Sequence, residues 1–359
     1  MHGVQIRIYD HFNSVLKTMK TRTYLSLSIF ALASLLTLSS PTAYGREPLQ
    51  GQTTSPKLSD GETQALNAID ANPDPMAKLA GVAEFIKKFP TSSARIQLAE
   101  RIAAEIAKTK DDAQAIALGE KARTIFTAEP ELAIINKTLL DAYASANRPD
   151  DVFKLANEMM TRDPADIHVL IQMTFTGTAE VKRKNAKFAP QALQSGIKAI
   201  ELIETDKKPA NISEAAWAVN KSMLPQLYQQ TAILNLVGGN AAEAKARLIK
   251  STTLGPTDPS SFALLGLVIN DEYLNLATSY KAMPEGTAKQ EALKKLEALL
   301  DSIIDIYAHA AALATGRPEY EGLLQQVQGD LTSYYKFRHN QSVEGLQQLI
   351  DKYKVTAKP

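Results

Sequence analysis

The chain has 359 residues, 40 Lys plus Arg against 39 Asp plus Glu, and 45% hydrophobic side chains, enough for one large or two ordinary domains. A net charge of +1 lacks the clustered cationic excess that phosphate backbones require, so nucleic acid is not an expected partner. With no cysteine, disulfides, thiolate zinc sites, cysteine nucleophiles and a lipid-modified cysteine anchor are excluded.

Lys20 and Arg22 precede an uncharged apolar run from Tyr24 to Leu38, then Pro41 and the small-residue tripeptide Ala43-Tyr44-Gly45. This reads as a secretory signal peptide over residues 1–45, cleaved after Gly45. The apolar run is too short for a spanning helix, which needs about 20 residues. Residues 1–18 add no apolar or basic signal, and Met19 is the expected start. Cleavage would leave 36 basic and 38 acidic side chains, a net charge near −2. The expected location is the periplasm or the exterior of a bacterial cell, with no transmembrane segment left after cleavage.

Residues 46–60 contain Pro, Gly, Gln, Ser and Thr without apolar periodicity and read as a flexible linker. From Thr63 onward, Ala, Leu, Glu, Lys and Gln dominate, apolar positions recur every three or four residues, and no strand is expected. The first helix pair ends with Met76–Pro90. A second runs from Ala94 to Pro130 and turns at Lys110-Asp111. In the third, Leu139, Leu140 and Tyr143 share one helix, Asn147 to Pro149 make the turn, and Val152, Phe153, Leu155, Ala156, Met159 and Met160 share the next. Pro149 is tolerated in a first helical turn, where its missing N–H has no intrahelical role. Residues 165–209 form a fourth pair with an enlarged turn around Lys182 to Lys187. A fifth comprises one helix over Glu214–Val237, a turn at Gly238-Gly239-Asn240, and Ala241–Leu254. Ser260–Tyr280 and Ala288–Ala314 form a longer hairpin, and Pro318–Tyr353 supplies two closing helices.

Pro130 and Pro164 lie one 34-residue tetratricopeptide period apart. The segment between them resembles a tetratricopeptide repeat: Leu139-Leu140-x-x-Tyr143-Ala144 on the first helix, then Pro149-Asp150-Asp151-Val152 and Met159-Met160-x-x-Asp163-Pro164 on the second. It departs from the family at Leu140, where a small residue is usual, and at Ala156, where a bulky one is. Cores tolerate such an exchange of size when volume is kept. Weaker copies cover most of residues 63–256. The resemblance implies an all-α, superhelical stack of about five antiparallel hairpins over residues 61–256, with a helical C-terminal extension over 257–359. It further implies a concave face that binds a peptide, a partner helix or an assembly subunit.

Chemistry-bearing sets are sparse. Beyond residue 45 only His168, His309 and His339 remain as histidines, and no metalloprotease, nucleophile-elbow or phosphate-loop motif occurs. No enzyme and no cofactor are expected. Glu297, Asp301, Asp305 and His309 recur at four-residue intervals on one helix flank. Asp305 and His309 are weak metal candidates, set against a solvated acidic stripe. Lys182, Arg183, Lys184 and Lys187 read as a solvated connector rather than a site for an anionic partner. Tyr334, Tyr335, Phe337, Arg338 and His339 are expected to pack the last helix, and Trp217 to fill core. Some tetratricopeptide domains clamp a terminal carboxylate with a lysine and an asparagine four residues apart. Lys137 matches that lysine, but Asp141 stands where the asparagine would be, and two carboxylates repel. Lys137, Asp141 and Ser145 share one helix face and are the candidate partner-binding residues. The expected function is therefore a non-enzymatic protein-binding or scaffolding module of the bacterial envelope. The alternative is a helical binder of a small ligand or cell-wall glycan that stacks on aromatic rings.

Overall fold

A computed structural model describes residues 58–210 and 212–354. The signal peptide, its cleavage site and linker residues 46–57 lie outside the described residues. Among those described there are fifteen α-helices, one 3-10 turn and no strand. The all-α reading holds, and neighbouring helices pack against one another in pairs.

The helices divide between two compact units, one holding residues 58–181 and 186–223, the other 182–185 and 224–354. The first unit contains α1 (Asp60–Asp70), α2 (Pro75–Lys88), α3 (Arg95–Lys108), α4 (Asp112–Ile125), α5 (Glu131–Ser145), α6 (Pro149–Met160), α7 (Ile167–Lys182, through Val181), α8 (Ala189–Glu204) and α9 (Glu214–Ser222). Local chemistry sets the boundaries. Ser59 and Glu62 form a capping box, with Glu62 N donating to Ser59 Oγ at 3.3 Å and Ser59 N donating to Glu62 Oε2 at 2.8 Å. Ser59 and Asp60 lie at the end of the stretch read as linker, and Glu62 lies just beyond it. Asp74 and Asp111 cap α2 and α4. α5 stops at Asn147, which takes the left-handed region at φ 54°. There Arg148 N donates back to Tyr143 O at 2.9 Å, and Pro149 opens α6.

One apolar cluster joins α1 to α5, from Leu66 and Ile69 through Val82, Leu98, Ile102 and Leu118 to Phe126 and Ile135. Burying each large side chain contributes about 1.5–3 kcal/mol. Polar pairs then tie each hairpin to the next: Arg101 to Asp70, Arg95 to Glu131, Arg123 to Glu158, Arg162 to Glu129, Lys187 to Asp150 and Gln191 to Asn157. Their sequence separations are 31, 36, 35, 33, 37 and 34 residues. The repeat period is therefore written in the charges as well as in the prolines. The Arg95–Glu131 pair is bidentate at 2.7 and 2.8 Å with both side chains largely covered. Breaking such a pair costs more than exposed pairs ever supply.

The second unit contains α10 (Leu224–Val237), α11 (Ala241–Leu254), α12 (Pro259–Ala282), α13 (Thr287–Ala314), α14 (Glu321–Arg338) and α15 (Leu346–Lys352), with a 3-10 turn at Pro318–Tyr320 before α14. The single helix expected over Glu214–Val237 is two, interrupted at Met223. The cause is Pro225. Inside a continuous helix its ring would clash with the preceding turn and a hydrogen bond would be lost, whereas in the first turn of α10 neither cost arises. The expected turn closes α10 onto α11, with Gly239 at φ 78° and Asn240 N donating to Asn235 O at 2.8 Å.

Close helix crossings in both units depend on glycine. A Cβ at Gly266 on α12 would lie 2.3 Å from the Tyr307 ring on α13, and one at Gly177 on α7 would lie 2.3 Å from Ala192 Cβ on α8. Alanine gains about 1 kcal/mol over glycine in helix propensity, but overpacking a core costs about 1–3 kcal/mol. The Ala192 methyl has no rotamer with which to yield, so sterics win. Gly177→Ala is expected to destabilise the chain by about 2 kcal/mol in urea unfolding, with much of the loss recovered by adding Ala192→Gly. Stabilisation by Gly177→Ala alone would contradict this packing.

Candidate binding face

Lys137, Asp141 and Ser145 lie at successive turns of α5. The first two meet the start of α7. Lys137 Nζ is 3.0 Å from Asp166 Oδ2, and Asp141 Oδ1 is 3.0 Å from His168 Nε2. Asp166 also caps α7, accepting from His168 N at 3.1 Å. The members of each pair differ in access. Lys137 and Asp141 are 33% and 50% exposed, Asp166 and His168 only 9% and 18%. A cation and a carboxylate one turn apart thus reach solvent on α5, each backed by a covered partner at the start of α7, Asp166 for Lys137 and His168 for Asp141. Ser145, a turn further on, is exposed.

Burial of His168 favours its neutral form, but the charge and hydrogen bond of Asp141 and the charge of Asp166 outweigh burial and the opposing Lys137, so its pKa lies above the ordinary 6.5. Asp166 and His168 were not singled out from sequence. The available signal was an Asp, three residues after Asp163, followed by Ile167, His168 and the apolar run Val169-Leu170-Ile171.

A shallow cleft of about 390 Å³ opens between α4 and α5, lined by Glu120, Arg123, Thr124, Thr127, Leu132 and Tyr143. Its polar groups are engaged within the chain. Tyr143 OH donates to Glu120 at 2.8 Å, Arg123 pairs with Glu158 at 2.7 Å, and the Arg148 guanidinium lies 5.0 Å from the Tyr143 ring centre. Burial foremost, then Glu120, pushes the Tyr143 phenol well up.

The acidic flank of α13 is exposed at Asp301 and Asp305, as expected of a solvated stripe, but both carboxylates have partners. Arg338 on α14 forks onto Asp301 at 2.6 and 3.2 Å, and Asp305 receives the Tyr353 hydroxyl with Lys352 Nζ at 3.7 Å. His309 lies between the rings of Phe262, 3.9 Å away, and Tyr353, 4.4 Å away. Asp305 and His309 thus face the chain's own C-terminal segment. No group of three or more His, Asp or Glu is gathered for a metal among the described residues. The Tyr334–His339 stretch packs as expected: the Tyr334 hydroxyl donates to Asn270, its ring meets Tyr273 edge-on, and Tyr335 OH donates to Glu344 O at 2.7 Å. Trp217 is 1% exposed and donates from Nε1 to Asp206 at 2.7 Å.

The basic connector after α7 is exposed at Arg183, Lys184 and Lys187, as expected of a solvated loop. Lys187 pairs with Asp150 and sits over the Phe188 ring, which itself stacks on Phe153 at 4.2 Å. Burial lowers the Lys182 ammonium to about 8, against the charge of Asp258.

Comparison of the sequence with protein-family models and with curated proteins finds no match. Among solved structures, the chain is similar to one from a functional characterization of Pseudomonas aeruginosa PilF. The TM-score is 0.37 and the identity 13%, over 72% of this chain and 97% of that one. It is also similar to a monomeric IFIT1 mutant with m7Gppp-AAAA. There the TM-score is again 0.37 and the identity 13%, and this chain spans 79% of itself and 56% of that protein. Neither likeness bears on what this chain binds. No helix among the described residues is long and apolar enough to cross a membrane.

The raised His168 pKa fixes a sign. Its pairing with Asp141 stabilises the fold fully below the unfolded value of 6.5 and is lost as pH rises through the higher folded value. Thermal unfolding across this range is expected to show the parent losing stability relative to His168→Gln as pH rises, with Asp141→Asn flattening that slope. An advantage that grows with pH would show that the pair does not carry the charge.

Proposed function

We propose that the chain is a non-enzymatic scaffold of the bacterial envelope that binds a protein partner through the exposed face of α5. The observation that carries this reading is the arrangement of Lys137 and Asp141. Both charges reach solvent on α5, and each meets a covered partner at the start of α7, Asp166 for Lys137 and His168 for Asp141. Such a patch fits a partner segment that offers a carboxylate and a cation about one helical turn apart, with Ser145 able to donate or accept beside them. Pre-organised charges select partners more than they add raw affinity, which suits a scaffold. The placement in the envelope rests on the signal peptide read in residues 1–45.

The test is affinity capture with residues 46–359 as bait in the envelope fraction, comparing the parent with a Lys137→Ala, Asp141→Ala double variant that keeps the parent's helical circular dichroism. A specific protein partner is expected on the parent and is expected to drop by about tenfold or more on the variant, as loss of two central charges does at interfaces. Equal capture by both would overturn the α5 face. Capture of glycan in place of protein would favour the small-ligand alternative.

A further inference from the structure

We propose that the flank of α13 is a second docking site, for a helical segment of a partner carrying an aromatic residue beside a lysine, and that α15 is its resident occupant and blocks it. The proposal concerns the second unit alone and does not depend on the α5 face.

α15 has only seven residues, of which only Ile350 is fully buried. The neighbouring α14 buries five and α13 thirteen. A helix of two turns has no stability of its own, so α15 persists through what it touches. Its anchors on α13 lie at its very end, where the Tyr353 hydroxyl and Lys352 ammonium both converge on Asp305. The Tyr353 ring also lies flat on His309, 13° from parallel. Behind His309 stands Phe262 of α12. The connection to α14 is built of turns, with Asn340, Gln341 and Gly345 at φ 52°, 68° and 84°. Segments with few buried contacts and exposed connections open locally, ahead of the body of the fold.

Removing α15 together with Tyr353 would uncover the face of the His309 ring, backed by Phe262 and rimmed by the carboxylate of Asp305, with Asp301 and Glu297 in line along α13. Asp301 keeps its Arg338 partner, so Asp305 is the carboxylate that changes partner. With Tyr353 seated, burial holds the His309 imidazole below its ordinary value. The chemistry that α15 supplies, an aromatic ring for the stack and an ammonium for Asp305, defines what a competing segment must bring. A competitor's apparent affinity then falls by the fraction of time α15 is seated.

The probe is a fluorescently labelled peptide with the sequence of Val343 to Lys354, titrated by anisotropy against the full chain. A Lys352→Ala, Tyr353→Ala variant, with its circular dichroism checked, is expected to bind about tenfold more tightly than the parent, because the resident segment no longer competes. Adding Asp305→Asn to that variant is expected to abolish the gain. Equal binding to parent and variant, no binding to the variant, or indifference to Asp305→Asn would each overturn the proposal. Hydrogen exchange on the unmodified parent gives a second reading that needs no substitution. Amides of 346–352 are expected to exchange well before those of α13, and exchange of both only by global unfolding would overturn the local opening on which the block depends.

Discussion

A pair of helices of about fourteen residues leaves one apolar face uncovered, and much of the first unit is a consequence of covering it with the next pair. The core that runs without interruption from Leu66 on α1 to Ile135 on α5 is what this covering produces. Covering demands close approach, so small residues stand where helix axes converge: Gly177 against Ala192 in the first unit, Gly266 beneath Tyr307 in the second. It also demands register, because apolar faces slide past one another at little cost. The pairs linking positions 31 to 37 residues apart supply that register at points where only one alignment matches charge to charge. Arg95–Glu131 is the strongest of them, being forked and covered.

The same device produces the candidate binding face. Lys137–Asp166 and Asp141–His168 join α5 to the start of α7, and because the α7 members are covered, the α5 members are presented outward in fixed positions. A structural tie between hairpins and a recognition patch are thus one set of atoms. The energetic worth of such half-exposed pairs to stability is small, while their value in fixing the direction of two charges is not.

In the second unit the ordering principle is different. Two long helices, α12 and α13, make the body, and carboxylates along α13 receive Arg338, Lys352 and Tyr353 from the elements that follow. The acidic residues that repel one another along a single helix are neutralised by cations arriving from elsewhere in the chain. A seven-residue helix held mainly at its last turn is the least secured part of this arrangement, and that gives the α13 flank its capacity for exchange.

Much of the architecture was legible in the chain itself. Helix-forming composition and three-to-four periodicity gave the all-α class, and Asn147-Arg148-Pro149 and Gly238-Gly239-Asn240 marked turns because the left-handed region and the missing proline N–H are local properties. Pro225 carried the break at Met223 just as plainly but was passed over in an otherwise periodic run. Lys137, Asp141 and Ser145 were placed on one face by the helical period alone. The identity of their partners was beyond sequence, since Asp166 and His168 meet them only after a turn, a second helix and a loop have folded back. The ion pairs of the exposed acidic stripe of α13 were hidden for the same reason: spacing along one helix says which side chains are neighbours on it, and nothing of which cation arrives from another element to meet them. Sequence by itself determined where helices begin, end and turn, through interactions spanning a few residues. Only the tertiary structure decided which charges are paired across helices and which face outward, because pairings such as Lys137–Asp166 and Asp141–His168 depend on helix packing between residues 27 or more positions apart.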